Sequence, residues 1–116
     1  MFRTNSNKGF LMEFDNGFGI SVQWGTSNYC SVKDIWSGTD PEMKGNSKGF
    51  RNAWESNTAE IAVFKGGVGK CDKYVSVGND QVIGWLTTND VARMIEIVSK
   101  SKTETTIKKK IKAINI

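Results

Sequence analysis

The run Lys65-Gly66-Gly67-Val68-Gly69-Lys70 follows the apolar stretch Ile61-Ala62-Val63-Phe64. A strand feeding a glycine-rich loop that ends in lysine is how phosphate-loop nucleotidases hold a triphosphate. That chemistry also needs a Ser or Thr hydroxyl after the lysine to bind magnesium, and a helix starting there to aim its amides at phosphate. Cys71 stands in the hydroxyl's place, and Asp72 to Asp80 is β-branched and aromatic, then turn-forming, with no helical stripe. No apolar strand ending in Asp follows to hold the metal from the other side. A chain of 116 residues is also about one domain, too short for the several strand-loop-helix units of such an enzyme. The expected element is a glycine-rich connection between two strands.

Other catalytic chemistry has little to work with. The sequence contains no histidine, which removes serine triads, Cys-His pairs and histidine metal sites. The carboxylates are scattered, and Cys30 and Cys71 are too few for a four-ligand zinc site or a disulfide framework, so reduced thiols are expected. The expectation is a binding protein with no catalytic residue, metal or cofactor. A flat, charged ligand would need aromatic faces, fixed polar donors and arginine. Candidates fall in three stretches: Trp24, Thr26 and Asn28 in QWGTSNYC, Arg51 and Trp54 in GFRNAW, and Trp85, Asn89 and Arg93 around a helix start. Arg93 is the leading phosphate contact, since unpaired helix amides lie near it. Five of them have a plainer use: core packing for Trp24 and Trp54, a turn cap for Asn28, a surface ion pair for Arg51 and Arg93.

The elements that must position these residues begin with a hairpin over residues 9–25, two alternating segments around Asp15-Asn16-Gly17. A two-residue Asn-Gly turn would set apolar residues opposite polar ones. A three-residue loop with Gly17 left-handed pairs Phe14 with Phe18, Met12 with Ile20 and Phe10 with Val22, placing all six on one face. Gly19, Ser21, Gln23 and Gly25 then line the other face, small enough for a close approach. Residues 26–57 form a long irregular loop whose aromatics argue for packing. Strands are expected at about 59–64, 73–77 and 82–86, the last two joined by the turn Gly78-Asn79-Asp80. A helix over 88–100 follows, with Val91, Met94, Ile95 and Val98 on one stripe, Thr87 as N-cap and Asp90 completing a near capping box. The basic tail 104–116 places Ile107, Ile111 and Ile114 on a helical stripe, with a final strand as the alternative. The fold class is α+β: one domain over 1–116, an antiparallel sheet of about five strands in hairpins or a meander, and one or two C-terminal helices.

The formal charge is +4 with 38% hydrophobic residues, 12 Gly and one Pro, the composition of a folded globular domain. No apolar run approaches a membrane span and the N-terminus lacks a signal-peptide core, so a cytoplasmic protein without membrane contact is expected. Lys108, Lys109, Lys110 and Lys112 account for the excess charge, leaving residues 1–106 neutral. Duplex binding usually needs a basic face on the folded domain, so no specific nucleic acid is expected as a partner. The two apolar helical stripes exceed what a thin sheet covers, which predicts a homo-oligomer, a dimer or higher.

GFLMEFDNGFGISVQWGTSNYC, followed by AEIAVF and VIGWLTTNDVARMI, resembles the first family of phage Thoeris anti-defence proteins. The resemblance covers roughly residues 9–30 and 59–95. It implies a sponge that sequesters cyclic ADP-ribose isomers made by TIR-domain enzymes without cleaving them, working in an infected bacterial cell. It further implies a symmetric oligomer with nucleotide held between subunits, and in some relatives cyclic oligonucleotides at separate sites. The alternative is a phage inhibitor that binds a host defence protein directly through the 26–57 loop or the basic tail.

Overall fold

The computed structural model describes residues 1–4, 9–25, 28–31, 56–77 and 81–114. In chain order these form β1 (Phe2–Thr4), β2 (Gly9–Glu13), β3 (Phe18–Gln23), β4 (Ala59–Lys65), β5 (Lys73–Val75), β6 (Val82–Leu86), α1 (Thr88–Lys100) and α2 (Glu104–Ala113). All strand pairs are antiparallel, in the order β1-β2-β3-β4-β5 with β6 also on β4. The hairpin has the register that burial demands: Phe10 faces Val22 and Met12 faces Ile20. Gly17 takes φ 89°, and Phe14 N–H donates to Phe18 O at 2.8 Å, as a three-residue loop with a left-handed glycine requires.

Ile20 and Val22 lie opposite Val63 and Ile61 across β3 and β4, and these four carry the helix-facing core of the sheet. α1 packs on β3, β4 and β6, and α2 packs on α1. Met94 and Val98 of α1 and Ile107 and Ile111 of α2 are buried in the same core. The start of α1 carries the full capping box. Thr87 Oγ1 accepts from Asp90 N–H at 3.2 Å, and Asp90 Oδ2 accepts from Thr87 N–H at 3.1 Å.

The end of α1 is closed from the hairpin. Asn16 Nδ2 donates to Val98 O and Ser101 O at 2.7 Å each and to Ser99 O at 3.2 Å, while its Oδ1 accepts from Phe18 N–H at 3.0 Å. One side chain in the β2-β3 turn thus satisfies carbonyls that a helix C-terminus leaves without partners, and it ties the hairpin turn to the end of α1.

One expectation is corrected. β6 does not turn back on β5. Both pair with β4, Val75 opposite Val63 and Val82 opposite Ala62, so they run end to end along one edge. β5 is only three residues long and β4 is long enough to hold both. The tail is helical over Glu104–Ala113, and its Ile107 and Ile111, with Met94 and Val98, are covered within one chain. Those stripes therefore do not by themselves require a second copy.

Candidate functional site

The glycine-rich loop connects β4 to β5 and does bind an anion, the chain's own Glu13. Gly69 and Cys71 donate their amides to Glu13 Oε2 at 2.9 and 3.2 Å, and Arg3 Nη2 lies 2.8 Å from Oε1. Gly66 and Gly67 N–H both donate to Gly17 O, tying the loop to the hairpin turn. Gly66 has φ 141° and a Cβ there would lie 1.9 Å from Lys70 O, so only glycine fits. Burial of Glu13 pushes its carboxyl up, but the Cys71 and Gly69 amides, the Cys71 thiol and Arg3 more than offset this, leaving it below the ordinary 4.5. Burial and the adjacent carboxylate push the Cys71 thiol above its ordinary 9.0, so it stays protonated at neutral pH and is a poor nucleophile.

A lowered carboxyl pKa contributes stability that is present above the unfolded value and lost as pH falls through the folded one. Glu104, lowered by hydrogen bonds from Lys65 and Lys108, acts in the same direction. Thermal melts should therefore lose stability below about pH 4.5. Glu13→Gln, which turns part of an amide group toward the loop N–H donors, should be less stable than the parent at pH 7 and show a shallower acid limb. Parallel acid limbs in the two proteins would remove Glu13 from the account.

Among the described residues, an exposed aromatic pair forms where Trp85 of β6 meets Tyr29. Ala59 pairs with Leu86 and Ile61 with Ile83, so Gly84 and Trp85 both oppose Glu60 in a β-bulge. Trp85 takes φ 53°, the sole positive φ at a non-glycine residue among the described residues. Its side chain is 57% exposed and lies 5.4 Å from the Tyr29 ring, itself 43% exposed. Three contacts hold this pose: Trp85 N–H donates to Tyr29 O at 2.9 Å, Tyr29 N–H donates to Glu60 Oε2 at 2.9 Å, and Asn28 Nδ2 donates to Glu60 Oε1 at 3.3 Å. Gly84 is required beneath them, because a Cβ there would meet Tyr29 Cβ at 2.5 Å. A large aromatic forced into left-handed backbone and turned to solvent costs stability that packing does not return, the pattern found at ligand sites. Chemically, the exposed Trp85 ring beside Tyr29 offers an aromatic surface to a flat group.

The remaining candidates separate. Asn28 sits next to this pair, but its Oδ1 accepts from Gly25 N–H at 2.8 Å and its Nδ2 from above also reaches Gln23 Oε1 at 3.2 Å, so it acts as a turn cap. Trp24 packs edge-on against Phe10, centroids 6.2 Å apart. It lines a mostly apolar cavity of about 340 Å³ with Val22, Leu86, Thr88, Val91 and Ile95. Arg93 lines a different cleft, about 390 Å³, between α1 and α2 with Lys100 and Lys110. Asn89 is exposed in the first turn of α1 and lines neither cavity. Thr26, Arg51 and Trp54 lie outside the described residues. Tyr29, Glu60 and Gly84 were not among the candidates; a glycine inside the strand pattern VIGWL was the available sign of a bulge or close backbone approach. The chain matches no family model, no curated protein and no solved structure.

Proposed function

We propose that the protein captures a cyclic nucleotide signal, a cyclic ADP-ribose isomer, and withholds it without cleaving it, as an anti-defence sponge in the cytoplasm of a phage-infected bacterium. The observation that carries this reading is the Tyr29-Trp85 pair: an exposed aromatic face held in strained backbone by Glu60 and Gly84, suited to stacking an adenine. The His-free composition and the use of the glycine-loop amides on Glu13 favour holding a nucleotide over hydrolysing one. Cyclic oligonucleotides form a second class of ligand to be tested.

Trp85 and Arg93 belong to different parts of one chain, the bulge beside Tyr29 and the cleft between the helices. The oligomer that the resemblance implies would hold a ligand between two copies, with Trp85 stacking its base and Arg93 pairing its diphosphate.

Titration calorimetry and melting with a panel of nucleotides test the reading. Cyclic ADP-ribose isomers should bind and raise the melting temperature, because a ligand that binds only the folded state stabilises it. ATP with magnesium should do neither, and Lys70→Ala should leave capture unchanged. A large ATP-dependent rise in melting temperature, or no response to any cyclic nucleotide, would overturn it.

A further inference from the structure

The lysine-rich tail is a folded surface. Residues 88–114 hold seven basic and three acidic residues, a net +4 equal to the charge of the whole chain. Each of the three carboxylates is engaged: Asp90 in the capping box, Glu96 with Lys100 at 3.2 Å, and Glu104 with Lys65 at 2.6 Å and Lys108 at 3.2 Å. Arg93, Lys102, Lys109, Lys110 and Lys112 are exposed and make no ion pair with any described residue. The cleft between the helices, with Ile97, Ala113 and Ile114 among its walls, brings Arg93 and Lys100 of α1 beside Lys110 of α2. A basic face on rigid helices is what sequence-independent duplex binding needs, and it is absent as long as the lysines are read as a loose tail.

We infer that the α1-α2 face binds the phosphodiester backbone of nucleic acid without regard to sequence. The surface points to a polyanion and away from a bilayer. Ile107 and Ile111 turn into the core, and the large exposed apolar residues Met1, Phe2, Tyr29, Val68, Tyr74 and Trp85 all lie outside residues 88–114, so the face has no large exposed side chain to insert into lipid. Five exposed cations can neutralise up to about five phosphates, and each neutralised phosphate adds about −0.9 to the slope of log affinity against log salt. The resulting contact is weak and strongly salt-dependent. It shares Arg93 with the proposed nucleotide capture but needs neither Tyr29 nor Trp85, and the lysines altered below have no part in that capture.

Fluorescence anisotropy with two unrelated duplexes of about 20 base pairs, from 50 to 200 mM salt, tests this. The parent should bind both alike, with a dissociation constant on the order of 10 µM at 50 mM salt and a slope near −4. The triple variant Lys109→Gln, Lys110→Gln, Lys112→Gln alters exposed positions to another good helix former, and circular dichroism checks its fold. It should lose about 3 units of slope and at least tenfold in affinity at 50 mM salt. The double variant Lys70→Gln, Lys73→Gln, equally exposed but on the β4-β5 side, should bind like the parent. No binding at 50 mM salt, equal slopes for the parent and the folded triple variant, or an equal loss in the double variant would overturn the inference. So would tighter binding to vesicles containing about 30% phosphatidylserine than to duplex at the same salt.

Discussion

Replacing Trp85 by glycine is expected to abolish most of the ligand capture while leaving the protein about as stable as before. Trp85 holds φ 53°, a conformation that costs a non-glycine residue about 1–2 kcal/mol. Glycine removes that strain, but it loses the ring contact with Tyr29 and adds freedom to the unfolded chain, each worth about 1 kcal/mol. The melting temperature should accordingly stay within a few degrees of the parent's. Binding has no such compensation. Stacking a base on an aromatic side chain is worth about 1–3 kcal/mol, so affinity for a cyclic ADP-ribose isomer should fall roughly 5- to 150-fold. Calorimetry and melting on the same preparation separate the two effects. A variant that binds like the parent would show that the exposed pair is not the capture surface, and one that unfolds would show that Trp85 is a packing residue.

Asn16→Asp should be among the most damaging isosteric changes in the chain. The amide nitrogen of Asn16 faces three carbonyl oxygens at the end of α1, where the helix dipole is negative. Aspartate would keep the bond accepted from Phe18 N–H but set a carboxylate oxygen against the three carbonyls, losing the Nδ2 hydrogen bonds and adding like-charge repulsion. The loss should be about 3 kcal/mol, a large part of the 5–15 kcal/mol that holds an ordinary domain together. For a domain of this size that lowers the melting temperature by roughly 12 °C or more. The sign of its pH dependence identifies the cause. An aspartate disfavoured in the folded state has a raised folded pKa, so the deficit is full above that value and shrinks as pH falls toward the unfolded value. Melts between pH 7 and 5, above the window in which Glu13 titrates, should therefore show the variant gaining on the parent. A deficit that stays constant with pH would assign the loss to geometry alone.

How legible these features were depends on how local their causes are. The hairpin register followed from face matching, because only a three-residue loop puts Phe10, Met12 and Phe14 on the side of Phe18, Ile20 and Val22. The limits of α1 followed from Thr87, Asp90 and the apolar stripe, all within one helix. β1 was not foreseen, since three residues carry almost no alternation; it pairs with β2 beside the Arg3-Glu13 ion pair. The placing of β6 on β4 was hidden because a turn-rich connection between strands reads as a hairpin, and only the length of β4 leaves room for two partners on one edge. At the site, Trp85 was singled out but its role was not. Its backbone N–H is held by the Tyr29 carbonyl, and Tyr29 in turn by the Glu60 carboxylate, two residues remote in sequence. Glu13 was one of the scattered carboxylates, because the glycine loop that holds it lies more than fifty residues away.

The most direct test of capture without cleavage is recovery of the ligand itself. The purified protein is incubated with a cyclic ADP-ribose isomer, freed of unbound ligand, denatured by heat, and the released material is analysed by mass spectrometry beside the Trp85→Gly variant. The account predicts that the parent releases the cyclic nucleotide at its original mass, in an amount proportional to protein, and that the variant releases little. A hydrolysed product would make the protein an enzyme, and nothing retained by the parent would favour direct binding to a host protein; either result would contradict the account.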